Sequence, residues 1–187
     1  MKVMTVLGSP RKRGNTAAVL SWVEDELRSL GHTVDRANIT DHDVRGCLGC
    51  YACKQSLETP CVQRDDANAL FARVIEADAL ILASPLYCWG VTAQLKAFID
   101  RGLCLVVGFE GPGHESRIEG KRLALIATAE GPMADNLDLL RKPFDLLCSY
   151  TKVTMAGSLL VPGCTSPDAL GEEVREQARC LARAIVA

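Results

Sequence analysis

Short apolar runs alternate with amphipathic stretches along the whole chain. Lys2–Leu7 is β-branched and apolar and ends at Gly8, so it reads as a strand. The apolar residues Leu20, Val23, Leu27 and Leu30 then fall 3, 4 and 3 positions apart, one face of a helix. Asn15 and Thr16 are its candidate N-caps and Gly31 is its stop. His32–Ile39 alternates weakly and predicts a second strand. Asp65 or Asp66 would cap a second helix reaching about Ala77. Ala79–Ala83 is continuously apolar, as expected of a parallel strand buried on both faces. Ser84–Thr92 reads as a loop, and the helix after it carries Leu95, Phe98 and Ile99. Gly108–Gly120 is a glycine-rich polar loop, and Arg122–Thr128 predicts the fourth strand. Met133, Leu137, Leu140, Phe144 and Leu147 step along a further helix that Pro143 should kink or break. Val153–Val161 is the fifth strand, and Val174, Ala178, Leu181 and Ile185 give the last helix its apolar face.

Strand followed by helix, five times over, predicts an α/β fold with a parallel sheet covered on both faces. Right-handed crossovers leave few topologies, and ligands of such sheets sit beyond the C-terminal strand ends. The loops after strands one, three and four should therefore meet at one site. No repeat or linker interrupts residues 1–187, so one domain is expected, with a long connection at about 40–64.

Composition narrows the function. Hydrophobic residues make up 48% and charged residues 24% of the 187, which excludes a wholly disordered chain. With 21 Lys+Arg against 23 Asp+Glu, no bulk basic charge points to nucleic acid. No apolar run approaches the roughly 18–20 residues of a membrane span. Met1–Gly8 is too short for a signal peptide and lacks a small-residue cleavage site, so a cytoplasmic location without membrane contact is expected. His32, His42 and His114 show no ligand spacing. No Ser-His-Asp order or carboxylate pair stands out, so no protein nucleophile is expected. Nine cysteines, an odd number with no secretory signal, do not read as a disulfide framework.

Gly8-Ser9-Pro10-Arg11-Lys12-Arg13-Gly14-Asn15-Thr16 joins a strand to a helix N-terminus, where free backbone N–H groups and the helix dipole favour an anion. The side chains of Ser9, Asn15 and Thr16 add donors, and Arg11 and Arg13 add charge, which suits a terminal phosphate. The Walker pattern is absent because no lysine follows Gly14. The dinucleotide fingerprint is absent because Gly8 and Gly14 are the only glycines here. The alternative is a capped helix with a solvated basic turn.

This loop resembles the FMN-phosphate loop of the flavodoxin-like NAD(P)H-dependent FMN reductase family. Ser84-Pro-Leu-Tyr-Cys-Trp-Gly90, followed by Thr92-Ala-Gln-Leu-Lys-Ala-Phe-Ile-Asp-Arg101, resembles the same family's flavin-ring loop and following helix. The resemblance implies a flavodoxin-like three-layer sandwich with strand order 2-1-3-4-5. It also implies FMN held by Ser9, Arg11, Arg13, Gly14, Asn15 and Thr16 at the phosphate. Pro85, Leu86, Tyr87, Cys88, Trp89 and Gly90 would border the ring, with Tyr87 and Trp89 as walls and Gly90 allowing close backbone approach. Thr128, Ala129 and Gly131 would lie opposite. Glu130 departs from the small residues usual there and is expected to face solvent.

Cys47-x2-Cys50-x2-Cys53-x7-Cys61 is the most distinctive motif. Three thiolates at this spacing can wrap one face of an iron–sulfur cluster, with a fourth completing it. Zinc is a weaker fit, since its sites usually use two separated cysteine pairs. A third alternative is a loop of free thiols. The spacing resembles that of iron–sulfur flavoproteins, a branch of the same superfamily with a [4Fe–4S] cluster next to FMN.

The resulting expectation is an oxidoreductase that moves electrons from NAD(P)H, or from a ferredoxin-like donor, to a flavin, quinone or other small acceptor. Relatives imply a homodimer or homotetramer. A non-enzymatic flavodoxin-like carrier and a zinc-stapled binding module are the alternatives.

Overall fold

The computed structural model describes residues 1–108 and 111–187. Five strands, β1 (Lys2–Leu7), β2 (Thr33–Asn38), β3 (Ala79–Pro85), β4 (Arg122–Thr128) and β5 (Thr154–Val161), form one sheet in the order β2-β1-β3-β4-β5. Every pairing in it is parallel. Helices α1 (Asn15–Ser29), α2 (Ala67–Glu76), α3 (Ala93–Arg101), α4 (Arg141–Thr151) and α5 (Glu172–Val186) connect and close the strands. This is the flavodoxin-like arrangement the resemblance implied. A two-residue antiparallel pair, Val106–Val107 with Glu115–Ser116, stands outside the main sheet. It trims the expected loop at 108–120, of which Phe109 and Glu110 lie outside the described residues.

The central strands are apolar on both faces because each face meets a helical layer. Val3, Leu7, Ile81 and Ile126 pack with α1 and α5, through Leu20, Leu27, Ala182 and Ile185. Their alternate neighbours Met4, Val6, Leu82 and Leu125 pack with α2, α3 and α4, through Phe71, Phe98 and Phe144. The period of two is what a doubly covered strand requires.

Two boundary expectations are corrected and a third is met. The N-cap of α1 is Gly14, not Asn15 or Thr16. Both side chains have tertiary partners instead: Asn15 Nδ2 donates to the Cys164 carbonyl at 3.0 Å, and the Thr16 and Thr128 hydroxyls lie 2.7 Å apart. The helix expected from Met133 is divided into a 3₁₀ turn at Leu137–Leu140 and α4 from Arg141. Pro143 thus sits in the first turn of α4, where its missing N–H removes no hydrogen bond. Asp66 occupies the N-cap position of α2 without a side-chain cap, while the Asp65 carboxylate accepts from the Ala67 N–H at 3.2 Å.

β1 ends against α3. Gly8 N–H donates to the Ala83 carbonyl at 2.7 Å, and the Thr92 hydroxyl donates to the Gly8 carbonyl at 2.7 Å. A Cβ on Gly8 would stand 2.7 Å from Leu95 Cβ and 3.1 Å from the Ala83 carbonyl oxygen. Neither neighbour is the free end of a flexible side chain. Gly8→Ala should therefore lower stability by about 1–3 kcal/mol through overpacking. Gly113→Ala, which meets nothing within 4 Å, serves as the control. Urea midpoints of the two variants check this, and equal midpoints would show that α3 yields to the extra methyl.

Candidate functional site

The loop after β1 is tightly built. Ser9 is buried, and its Oγ accepts from the Arg11 N–H at 3.1 Å. Gly14 N–H closes back on the Arg11 carbonyl at 3.0 Å. Gly14 has no side chain to cap α1, so the helix enters the site without a side-chain cap on its first N–H groups. Asn15 keeps a buried amide oxygen with no protein partner among the described residues. Arg11 and Arg13 are exposed, and Lys12 pairs with Asp41 beyond the end of β2.

The loop after β3 is a tight hairpin turn. Tyr87 and Gly90 exchange backbone hydrogen bonds of 2.9 and 3.0 Å around Cys88 and Trp89. Those two residues have φ of 47° and 59°, the left-handed pair of a type I′ turn. A Cβ on Gly90 would meet only the Tyr87 carbonyl oxygen, at 3.8 Å, within the protein. Tyr87 and Trp89 are 44% and 65% exposed. They stand at the mouth of an apolar groove of about 580 Å³ between α3 and α4, lined by Leu95, Phe144 and Leu147 among others.

The loop after β4 joins both. Leu86 N–H donates to the Thr128 carbonyl at 2.8 Å, and Thr128 meets Thr16 through its hydroxyl. Gly131 is crowded by the Asn136 amide, 2.7 Å from where a Cβ would stand. Glu130 is exposed, as expected. A fourth loop, after β5, was missed in the sequence. Cys164 N–H donates to the Ala129 carbonyl at 2.8 Å, and the Cys164 carbonyl holds Asn15. Thr92 was also missed, although a threonine just before an apolar-periodic run is a helix-start signal. It caps α3 through the Leu95 N–H and holds Gly8.

The cysteine loop is closed at its neck. Asp66 N–H donates to the Asp43 carbonyl at 2.9 Å, and Asp43 N–H to the Asp66 carboxylate at 2.8 Å. Above that, the fully buried pair Arg101–Asp65 is bidentate, with bonds of 2.6 and 3.0 Å. Arg101 also donates to the Arg45 carbonyl at 3.1 Å, while Asp65 accepts from the Arg45 N–H at 3.1 Å. Burial pushes the Asp65 carboxyl up, but hydrogen bonds from Arg101, Arg45 and Ala67 outweigh it and bring it down to about 2.

All four cysteines of the motif carry free thiols. Cys47 and Cys50 are exposed, and Cys53 and Cys61 are half-buried against the core. Burial pushes the Cys53 thiol up, and the neighbouring Cys61 and Cys47 add to that. Among the described residues, no three His, Cys, Asp or Glu side chains are gathered as metal ligands. The structure thus brings the loops after β1, β3 and β4 together, while the four thiols share a loop without converging.

The profile of the family described as NADPH-dependent FMN reductase matches residues 1–151. An iron-sulfur flavoprotein of Archaeoglobus fulgidus is 43% identical over 121 residues, 65% of this chain and 51% of the relative. One of Methanocaldococcus jannaschii is 36% identical over 110 residues, 59% of this chain and 56% of the relative. The chain spans about half the length of the curated relatives it matches. Among solved structures, an NAD(P)H:quinone oxidoreductase from Methanothermobacter marburgensis has a TM-score of 0.74 at 20% identity, covering 100% of this chain and 98% of the other, a likeness of fold.

The neck has a pH signature. The Asp65 carboxyl is held at about 2 in the folded chain, below its ordinary 3.8. Its contribution is therefore complete above the unfolded value and is lost as pH falls through 3.8 towards 2, amounting to about 2 kcal/mol. Unfolding free energies measured from pH 5 to pH 2 should fall more steeply for the wild type than for Asp65→Asn. The variant should begin about 3–5 kcal/mol lower, because Arg101 is left buried and unpaired. Parallel slopes would place the acid sensitivity elsewhere.

Proposed function

Because this chain belongs to the NADPH-dependent FMN reductase family, we propose that it is an FMN-dependent oxidoreductase. It takes electrons from NAD(P)H, or from a ferredoxin-like donor, and passes them to a flavin, a quinone or another small acceptor. The observation that carries the reading is the N-terminus of α1, free of a side-chain cap and walled by the buried hydroxyls of Ser9 and Thr16. Such a terminus is a ready anion site. Ser9, Gly14, Asn15 and Thr16 would hold the phosphate there, with Arg11 and Arg13 supplying charge from the solvent side. The unpartnered Asn15 oxygen is an acceptor left for a ligand hydroxyl.

Bound flavin supplies the hydride and electron chemistry, so the protein's part is to bind, orient and shield. Pro85–Gly90 would border the ring. Thr128, Ala129 and Gly131 would face its other side, held there by Val161, Cys164 and Gly163. No side chain is assigned a covalent role. The exposed Tyr87, Trp89 and Leu146 beside the apolar groove support a homodimer or homotetramer in which a second copy covers this face. A single domain in the cytoplasm, without nucleic-acid or membrane partners, completes the reading. Among the described residues, no helix is long and apolar enough to cross a membrane.

Cys47, Cys50, Cys53 and Cys61 would hold a [4Fe–4S] cluster. The donor set is chemically suited to it: four thiols on one loop whose neck is already closed. The relatives named iron-sulfur flavoproteins support the same assignment.

Flavin released by heat should be FMN. Arg11→Ala and Thr16→Ala should weaken FMN binding by about one to two decades and riboflavin binding far less, since each removes a phosphate contact. Equal losses for both flavins, measured by fluorescence titration of apoprotein, would move these residues out of the phosphate site. Protein reconstituted without oxygen should contain about four irons per chain. Cys50→Ser should lose the iron and keep the FMN. Zinc in place of iron, or thiols free in metal-replete protein, would overturn the cluster assignment and leave that of FMN intact.

A further inference from the structure

Thr16 and Thr128 are 2% and 3% exposed, and their hydroxyl oxygens lie 2.7 Å apart. Among the described residues this is the one hydrogen bond that either side chain makes. A hydroxyl carries one proton and two lone pairs. Two hydroxyls bonded to each other place one proton between the oxygens and leave the second over. A buried O–H without an acceptor calls for a ligand or a physical reason.

The helix does not take that proton. Ser21 and Thr151 spend theirs on the carbonyls four residues back, at 2.8 and 2.7 Å. Thr16 is the second residue of α1, so the residue four back, Lys12, lies in the loop, and no such bond forms. The pair has two arrangements, which differ in the residue that keeps the spare proton. Thr128 ends β4, in register with Pro85 on one side and Val161 on the other. Its carbonyl accepts from the Leu86 N–H at 2.8 Å, and the next N–H, that of Ala129, donates to the Val161 carbonyl at 3.0 Å. Its backbone is thus held from both sides. Thr16 stands instead in the first turn of α1, whose N–H groups carry no side-chain cap and favour an anion. A proton kept by Thr16 is the one placed at that terminus.

We propose that Thr128 is a positioning residue of the phosphate site: its hydroxyl donates to Thr16 Oγ1 and so commits the remaining Thr16 proton to the phosphate. The inference rests on the FMN reading above, and it gives Thr128 a role exerted through Thr16 rather than at the ring. A hydroxyl that accepts a hydrogen bond becomes a better donor, so the two bonds strengthen each other. The fixed backbone of Thr128 also orders the Thr16 side chain in advance, which leaves less to be ordered on binding. Valine at 128 keeps the volume and removes the donor. Serine keeps the donor and loses only the methyl.

The test titrates apoprotein of wild type, Thr128→Val and Thr128→Ser with FMN and with riboflavin, followed by flavin fluorescence, and with inorganic phosphate in competition with FMN. Thr128→Val should bind FMN and inorganic phosphate about 3–10 times more weakly, the worth of one side chain ordered on binding, and riboflavin as the wild type does. Thr128→Ser should recover most of the loss. Retained riboflavin binding confirms the fold of each variant, and Thr128→Ala removes the same donor if the strand end rejects valine. Unchanged FMN affinity without the hydroxyl, equal losses for FMN and riboflavin, or a serine variant as weak as the valine one overturns the role of Thr128 and leaves the FMN assignment standing. Wild-type apoprotein that binds FMN no better than riboflavin and does not respond to inorganic phosphate overturns the phosphate site and this role with it.

Discussion

Gly8 donates its N–H to the Ala83 carbonyl, accepts a hydrogen bond from the Thr92 hydroxyl at its own carbonyl, and lies so close to Leu95 that no Cβ fits between them. The end of β1 is thereby pressed against the first turn of α3. Thr92 secures the contact from the other side by capping α3 through the Leu95 N–H at 3.3 Å. With that point fixed, the chain after Gly8 has one place to go. Ser9 turns inward and α1 begins at Asn15 beside the end of β4, where Thr16 meets Thr128. Each hydrogen bond alone is worth about 1 kcal/mol. Their joint effect is geometric, because a close-packed interior transmits position rather than absorbing it.

The same helix fixes the second region. Nine residues separate the two ends of α3, roughly 13 Å of helix. Thr92 stands before its first residue and Arg101 is its last. Whatever positions α3 on the sheet therefore sets the loop after β1 at one end and the neck of the cysteine loop at the other. The cost of this arrangement is the burial of an ion pair, which well-packed apolar residues could often replace without loss of stability. A pair that spans residues 65 and 101 and also bonds residue 45 is thus better explained by the geometry it imposes on the loop than by the energy it contributes.

Local patterns carried the framework. The runs buried on both faces marked the strands, and Arg122–Thr128 coincides with β4 residue for residue. Helix spacing of three and four marked α1 and α5. What local patterns could not carry were contacts between distant positions. Asn15 with Cys164 and Thr16 with Thr128 are separated by 149 and 112 residues. These partners overrode the capping tendency that Asn15 and Thr16 carry in isolation. Asp65 was legible only as a candidate helix cap, and Arg101 only as the end of the helix after the third strand. Only their enclosure by α2, α3 and the loop neck makes them the buried pair. The motif of four cysteines was legible as chemistry, because spacing alone defines a donor set. Their arrangement in space was not, because it depends on that neck.

The turn after β3 carries a backbone conformation that its residue types do not announce. Glycine is the natural choice for left-handed backbone. The two left-handed positions are Cys88 and Trp89, where a type I′ turn would ordinarily take asparagine and glycine. Holding two residues with Cβ atoms there costs roughly 1–2 kcal/mol each. The flanking bonds between Tyr87 and Gly90, and from Leu86 to Thr128, hold them in place regardless. Strain of this kind persists only where the surrounding structure over-determines it. Its consequence is an indole lifted 65% clear of the protein at the rim of the apolar groove. An asparagine–glycine pair would make the same turn without that cost, but it would take the indole away from the rim of the groove.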